Sequence, residues 1–451
     1  MQVAREPANL LLDLSVIGAA FVVVVVGGMG SIPGAYVAAL LIAELKAICI
    51  WLGVVEVAGV SISFSKLTLV VEFLVMAVVL VVRPWGLMGR PQAPSRNAGA
   101  AEAPLRAPDR LAKAAIAALV LALVALPALS SQSPYVVVLT IDILVAVLFA
   151  ASLQYIMGPG GMHSYGHAAN YGLGADGVTP LGHARRLGYA GIVSLGHAAY
   201  FGLGAYGAAI LLRATGAPME IALIAAPLIA AVGALVFGWF CVRLSGVYLA
   251  MLTLAFAQIA WAIVYQWDAF TGGSNGLTGV WPSAWFSDKR AYYALTLALV
   301  LAGVFVLRRI LYAPFGYAMR AVRDSTLRAD AIGIDVKRVQ WVAFVIGGLV
   351  AGLAGALFAF SKGSISPETL HVAKSVDGLV MVLLGGVQTL AGPVVGATLF
   401  TWLHDSVARS TEYWRAMLGG IILILVLLFP QGVAGFVRQV VYGRREAKGG
   451  S

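Results

Sequence analysis

Apolar runs broken by short polar stretches account for almost the whole chain. Leu10–Val26 is apolar, and Gly27-Gly28-Met29-Gly30-Ser31-Ile32-Pro33-Gly34 interrupts it. Tyr36–Leu52 and Leu67–Val82 follow, the latter closed by Arg83-Pro84-Trp85-Gly86. Further runs lie at about 114–130, 134–156, 192–212, 219–241, 247–266, 291–311 and 340–361. A block at 377–403 is split by Gly385-Gly386 and Gly392-Pro393, and a last run covers about 415–430. Most runs are close to the ~20 residues that cross ~30 Å of hydrocarbon as a helix. They lack the period-2 alternation of a barrel strand, and only helical bundles and closed barrels span lipid. The pattern predicts an all-α, polytopic transmembrane helical bundle with broken helices and about 11–12 membrane segments.

Composition agrees with that pattern. Of 451 residues, 61% are hydrophobic and 11% charged, where a soluble domain carries about a quarter charged. The net charge of +10 comes from basic residues beside the spans, as the positive-inside rule expects, so it points to lipid and not to nucleic acid. Cys49 and Cys241 both lie in apolar segments, which argues against a structural disulfide. Met1 to Asn9 is polar and no cleavage site follows an apolar core, so no signal peptide is expected.

Two charged stretches stand out. Gly89–Lys113, rich in Pro, Ala and Arg, reads as a solvated cytoplasmic linker. Counting crossings from there puts Ser130–Pro134 outside, 157–190 inside, 267–290 outside and 312–339 inside. The basic tail with Arg438, Arg444, Arg445 and Lys448 is then cytoplasmic only if 377–407 makes two short crossings, which broken helices at Gly385–Gly392 allow. The segment 312–339 holds Arg320, Arg323, Arg328, Asp324, Asp330, Asp335 and Lys337 between two nearly uncharged spans. Ala318, Ala321, Val322 and Leu327 give it a helical apolar face, and Gly333 ends that helix as a C-cap. Its length and amphipathic order favour a docking helix over a plain connector.

The chain repeats itself twice. Residues 25–40 parallel 383–398, with Gly27, Gly28, Ser31 and Gly34 falling on Gly385, Gly386, Thr389 and Gly392. Each copy is followed by Pro-x-Gly, at Pro84–Gly86 and Pro430–Gly432. The division expected is therefore a partial unit at 1–88, the linker at 89–113, a complete unit at 114–440 and a basic tail at 441–451. Residues 161–175 also parallel 191–205 in tandem, the first copy being more polar through His163, His167, Asn170 and the following Asp176.

Chemistry is sparse. Gly172–Gly177 and Gly202–Gly207 fit G-x-G-x-x-G, but no βαβ context surrounds them, and helix packing through small residues is the better account. The same holds for Gly347, Gly348, Gly352 and Gly355. His163 and His167 have zinc-like i, i+4 spacing without further ligands, so no metal and no cofactor is expected. No nucleophile–base set or paired carboxylates occur, and Walker sequences are absent, so the chain is no enzyme and hydrolyses no ATP. Ser194 and His197 on a span, with Tyr248, Thr253 and Gln258 on another, are the candidate pathway residues; interhelical contact is the competing reading. Thr271–Gly279 is a Gly-rich polar segment expected on the outer side.

Three motifs, in order, carry a resemblance: Leu187–Tyr206 around Ser194-Leu-Gly-His197, Arg243-Leu-Ser-Gly-Val-Tyr248, and Thr271-Gly-Gly-Ser-Asn-Gly-Leu-Thr-Gly279. Over about 115–440 the chain resembles the permease subunit of bacterial branched-chain amino-acid ABC importers. Residues 10–88 resemble the C-terminal end of the partner permease. The resemblance implies a multi-pass inner-membrane protein moving branched-chain or other hydrophobic amino acids into the cytoplasm. It implies two cytoplasmic ABC ATPase subunits, a second permease subunit and a periplasmic amino-acid-binding protein as partners. The segment 312–339 becomes the ATPase-coupling loop, with Arg320, Arg323, Asp324, Ala329 and Gly333 as its candidate residues; Leu327 stands where the general signature has Glu. Rival readings are a urea or short-amide importer of the same architecture, and an ion-coupled secondary transporter using Glu44, Glu72 or Asp142.

Overall fold

The computed structural model describes residues 12–57, 60–89, 110–129, 134–158, 196–244, 246–387, 391–429 and 432–436. Ser194, His163, His167, Asn170, Asp176, the first G-x-G-x-x-G, Thr389, most of the linker and the basic tail lie outside the described residues.

Helices form wherever the apolar runs predict them. Helices α1 (Leu12–Gly27), α2 (Ile32–Leu52) and α3 (Phe64–Val82) come first, with an antiparallel hairpin of β1 (Val54–Val57) and β2 (Val60–Ser63) between the last two. Then follow α4 (Arg110–Leu129), α5 (Pro134–Met157), α6 (His197–Thr215), α7 (Met219–Cys241) and α8 (Val247–Gln266). After the short α9 (Asp268–Thr271) come α10 (Lys289–Leu311), α11 (Pro314–Asp324), α12 (Thr326–Ala331) and α13 (Val336–Lys362). The chain closes with α14 (Val372–Gly385), α15 (Gly392–Ser410) and α16 (Trp414–Leu428). Among the described residues, 7 helices have the length and composition to cross a membrane.

Helix α13 is the centre of the bundle, packed on α5, α6 and α7. Its small residues set that closeness. A Cβ on Gly352's neighbour Gly204 would stand 2.2 Å from the Gly352 carbonyl oxygen, and one on Gly355 would stand 1.9 Å from that of Phe201. Backbones in lipid gain contact by such approach, since no hydrophobic effect draws one apolar helix to another. The glycine stripe on α13 is packing, as its spacing predicts.

The two Gly-Gly breaks share one geometry. Gly28 and Gly386 both have left-handed φ, at 100° and 105°, a conformation open chiefly to glycine. A Cβ on Gly34 would lie 2.2 Å from Gly27 O, and one on Gly385 would lie 1.8 Å from Gly392 O. In each case the chain returns after a third helix and lays a glycine on the break: a Cβ on Gly86 would be 2.6 Å from Gly28 N, and one on Gly432 would be 2.3 Å from Gly386 N. Thus α1–α2–α3 and α14–α15–α16 are two copies of one helix–break–helix–return motif. The first docks through α3 on α8, the second through α14 and α15 on α5.

The two ends of the bundle differ. At the end reached by the C-terminus of α13, Thr271–Gly279 is ordered: β3 (Leu277–Thr278) pairs with β4 (Ser364–Ile365), and Gly279 N and Val280 N both donate to Gly363 O at 3.0 Å. At the opposite end, α11 and α12 stand between α10 and α13. Two of the three membrane carboxylates singled out above have lysine partners: Glu72 with Lys46 at 2.7 Å, tying α3 to α2, and Asp142 with Lys362 at 2.8 Å, tying α5 to α13. Cys49 and Cys241 are both buried and free.

Candidate functional site

The charged segment is two short helices. Pro314 pre-sets the first turn of α11, whose Gly316, Met319 and Val322 are buried. Ser325 is extended and its side chain accepts from Arg328 N, so it caps a second helix, α12. The single helix expected from the sequence is therefore divided at Ser325. Gly333, with φ 86° and open space around it, ends α12, and Asp335 caps α13 by accepting from Arg338 N. Ala329 is buried, whereas Tyr317, Leu327 and Ile332 are 57%, 66% and 73% exposed. This segment thus turns both charges and large apolar side chains outward.

Two of its arginines, Arg320 and Arg323, reach inward, while Arg328 is exposed. The Arg320 guanidinium donates to Leu311 O at 2.7 Å and lies 4.9 Å from the Tyr317 ring centre. Arg323 is paired with Asp324 at 3.0 Å and donates to Gly158 O at 3.4 Å, at the end of α5. One turn earlier on α5, Gln154 Nε2 donates to Val387 O at 2.9 Å. Val387 belongs to the break between α14 and α15. A chain of contacts therefore runs from α11 through the last turn of α5 to the broken helix. Gln154 and Gly158 were not foreseen from the sequence; nothing local marks a glutamine at a span end as a partner of a break 233 residues away.

The candidate pathway residues His197, Thr253 and Tyr248 do not gather around one opening; Ser194 lies outside the described residues. His197 is fully buried, with Nε2 2.8 Å from Ser152 Oγ and its ring 5.4 Å from Phe149. Thr253 is buried, its hydroxyl donating to Ala250 O at 2.7 Å. The start of α6 presses on it, for a Cβ on Gly196 would be 2.3 Å from Thr253 O. Tyr248 instead faces the N-terminal unit: its hydroxyl donates to Trp85 O at 3.5 Å, and the two rings meet edge to face at 6.0 Å.

An opening does exist one helix away. A cleft between α5, α6, α13, α14 and α15 is lined by Asp142, Phe149, Phe201, Phe358, Lys374 and Asp377, among others. Lys374 Nζ lies 5.8 Å from the Phe201 ring centre and 5.7 Å from that of Phe358. Asp142 pairs with Lys362 through Oδ2, while its Oδ1 is buried with no hydrogen-bond partner among the described residues. The signal for this cleft is Lys374-x-x-Asp377, two charges one helical turn apart at the head of an apolar helix. Among the described residues no three His, Cys, Asp or Glu are grouped to hold a metal.

Comparison with known proteins adds a further constraint. The family described as branched-chain amino acid transport system / permease component matches residues 177–427. The chain is 31% identical over 360 residues to the high-affinity branched-chain amino acid transport system permease protein LivM of Escherichia coli K12, covering 72% of this chain and 78% of that protein. LivM of Salmonella typhimurium is 31% identical over 252 residues, 50% of this chain and 59% of that one. The autoinducer 2 import system permease protein LsrC of Klebsiella pneumoniae is 32% identical over 178 residues, 37% and 48% of the two chains. No solved structure matches.

Proposed function

We infer how this chain works from the family to which it belongs, the permease components of branched-chain amino acid transport systems. It is the transmembrane permease component of a branched-chain amino-acid ABC importer, a multi-pass protein of the bacterial inner membrane. Its relatives are transport permeases, and it works within a system that has ATPase and other subunits. Our reading of the finer parts is that two ABC ATPase subunits bind on the cytoplasmic side, a second permease subunit completes the channel, and a periplasmic binding protein delivers the substrate. The chain moves branched-chain or other hydrophobic amino acids and is no enzyme.

The observation that carries the coupling role is the outward face of α11 and α12. Interface anchors are exposed apolar or aromatic side chains that become buried on docking, and Tyr317, Leu327 and Ile332 are such residues on an otherwise charged segment. Of Arg320, Arg323, Asp324, Ala329 and Gly333, Ala329 packs inward, Gly333 makes the turn, the two arginines join the segment to the spans, and the exposed Asp324 pairs with Arg323. A motor can bias the spans only if this segment makes different contacts in its two states. The N-terminal unit, 1–88, is read as a partner-like fragment carried in cis.

Leu327→Asp tests the docking face. The side chain is exposed, so the fold tolerates the change, while an unpaired carboxylate in a desolvated interface opposes binding. ATPase subunits should co-purify with the variant at least ~10-fold less well than with wild type, at equal amounts of permease. Equal co-purification would count against docking at this segment.

A further inference from the structure

We propose that the cleft beside α14 binds the zwitterionic head of an α-amino acid, with its apolar side chain between the phenylalanines. The proposal rests on the transport reading above for its substrate class and on the cleft itself for its chemistry.

Lys374 and Asp377 are one turn apart at the start of α14 and share the face that lines the cleft. Among the described residues neither is in an ion pair. Lysine and aspartate in a membrane bundle are costly and ordinarily face a partner, a cavity or a pathway. Lys362 and Asp142 cancel each other. One ammonium and one carboxylate, Lys374 and Asp377, remain: they feel each other's charge without forming a direct ion pair, and His404 lines the same cleft within electrostatic reach of Asp377.

A zwitterion satisfies that remainder with no net charge. Its carboxylate meets Lys374 at the positive end of α14. Its ammonium meets Asp377 and the unpartnered Oδ1 of Asp142. Phe149, Phe201 and Phe358 receive the aliphatic side chain. A simple amine or a simple carboxylic acid would leave one protein charge desolvated and unpaired, so the site discriminates against both.

The test uses the full-length chain purified in detergent and equilibrium binding of radiolabelled leucine, with valine, isoleucine, 4-methylpentanoate and isopentylamine as competitors. Wild type should prefer leucine to both analogues. Asp377→Asn and Lys374→Gln keep side-chain size, and each should weaken leucine by ~10-fold or more, the scale of one charge-assisted contact. Asp377→Asn should also narrow the preference for leucine over 4-methylpentanoate, and Lys374→Gln that over isopentylamine. A merely structural role would not narrow a different one of these two ratios in each variant. Thr401→Cys, on the α15 wall of the cleft, gives a second measurement: leucine should protect it from a thiol reagent. Unchanged affinities and ratios, absence of leucine protection, or no binding of any of the three amino acids would overturn the proposal. ATP-driven uptake in cells with the partner subunits separates it from the transport reading. Wild-type import with unaltered import by both variants removes the site alone. Leucine binding lost in the variants, without import by wild type, removes the transport reading alone.

Discussion

Gly385→Val should leave almost no folded protein in the membrane. A Cβ at this position would lie 1.8 Å from Gly392 O and 2.4 Å from Gly392 C. Both are backbone atoms, so no side chain can rotate away, and relief requires prising α14 from α15. That separation in turn lifts the Gly432 return, which rests on Gly386, and loosens Gln154 from Val387. Overpacking in a close-packed core typically costs 1–3 kcal/mol; a main-chain overlap this deep with coupled losses should exceed ~3 kcal/mol. The measurement is the amount of monodisperse protein recovered by size-exclusion chromatography after detergent extraction. Gly419→Val is the control, because nothing lies within 4 Å of a Cβ there; its recovery should match wild type. If Gly385→Val is recovered as well as Gly419→Val, the tight break is not what holds this end of the bundle.

Gly27→Val is the informative companion. Its Cβ would stand 2.4 Å from Ala35 N, so the local damage is of the same kind, but it falls in the N-terminal copy of the motif. That unit meets the rest of the described chain chiefly through α3 on α8 and Tyr248 on Trp85.

Why some of this was legible in the sequence and some was not follows from where each signal is stored. The spans are written in runs of twenty or so apolar residues, and α5, α7, α8 and α10 begin and end close to the limits those runs give. The breaks at Gly28 and Gly386 are legible because a left-handed φ and a sub-contact approach admit glycine, and the sequence repeats both. The charged segment was legible as amphipathic, but its division at Ser325 depends on one capping hydroxyl that competes with an otherwise continuous helical pattern. Lys374 does not read as part of a span because the apolar run begins only after it; the helix in fact begins at Val372 and carries the charge inside. The hairpin at 54–63 gave only a polar gap. His197 shows the reverse case: a polar residue on a span reads as functional from its chemistry, and only the fold reveals the serine hydroxyl that meets it. Contacts such as Gln154 with Val387 have no local signature at all, since they join segments that become neighbours only after the bundle closes.

Arg323→Ala should uncouple ATP hydrolysis from uptake while leaving the permease intact. The side chain is 13% exposed and bridges two things: Asp324 on its own helix and Gly158 O at the end of α5. The second contact, at 3.4 Å, is long for a hydrogen bond. Removing it does not touch α13, the core of the bundle, so assembly with the partner subunits and protein level should stay near wild type. The chain of contacts from α11 through Gly158 and Gln154 to Val387, which carries the motion on the proposed coupling reading, loses its first link, however. A link contributing ~1.5–3 kcal/mol to the difference between two states, the scale of a charged hydrogen bond, changes their ratio ~10- to 100-fold. Uptake per ATP hydrolysed should therefore drop by at least ~10-fold. Arg323→Lys should recover only part, because an ammonium cannot hold a carboxylate and a carbonyl with the fixed fork of a guanidinium. The ratio of uptake to hydrolysis, measured in proteoliposomes holding the assembled importer, separates this from a folding defect, which would lower both together. Equal ratios for wild type, Arg323→Ala and Arg323→Lys would mean that force enters the spans elsewhere, with Arg320 on Leu311 O the next contact to cut.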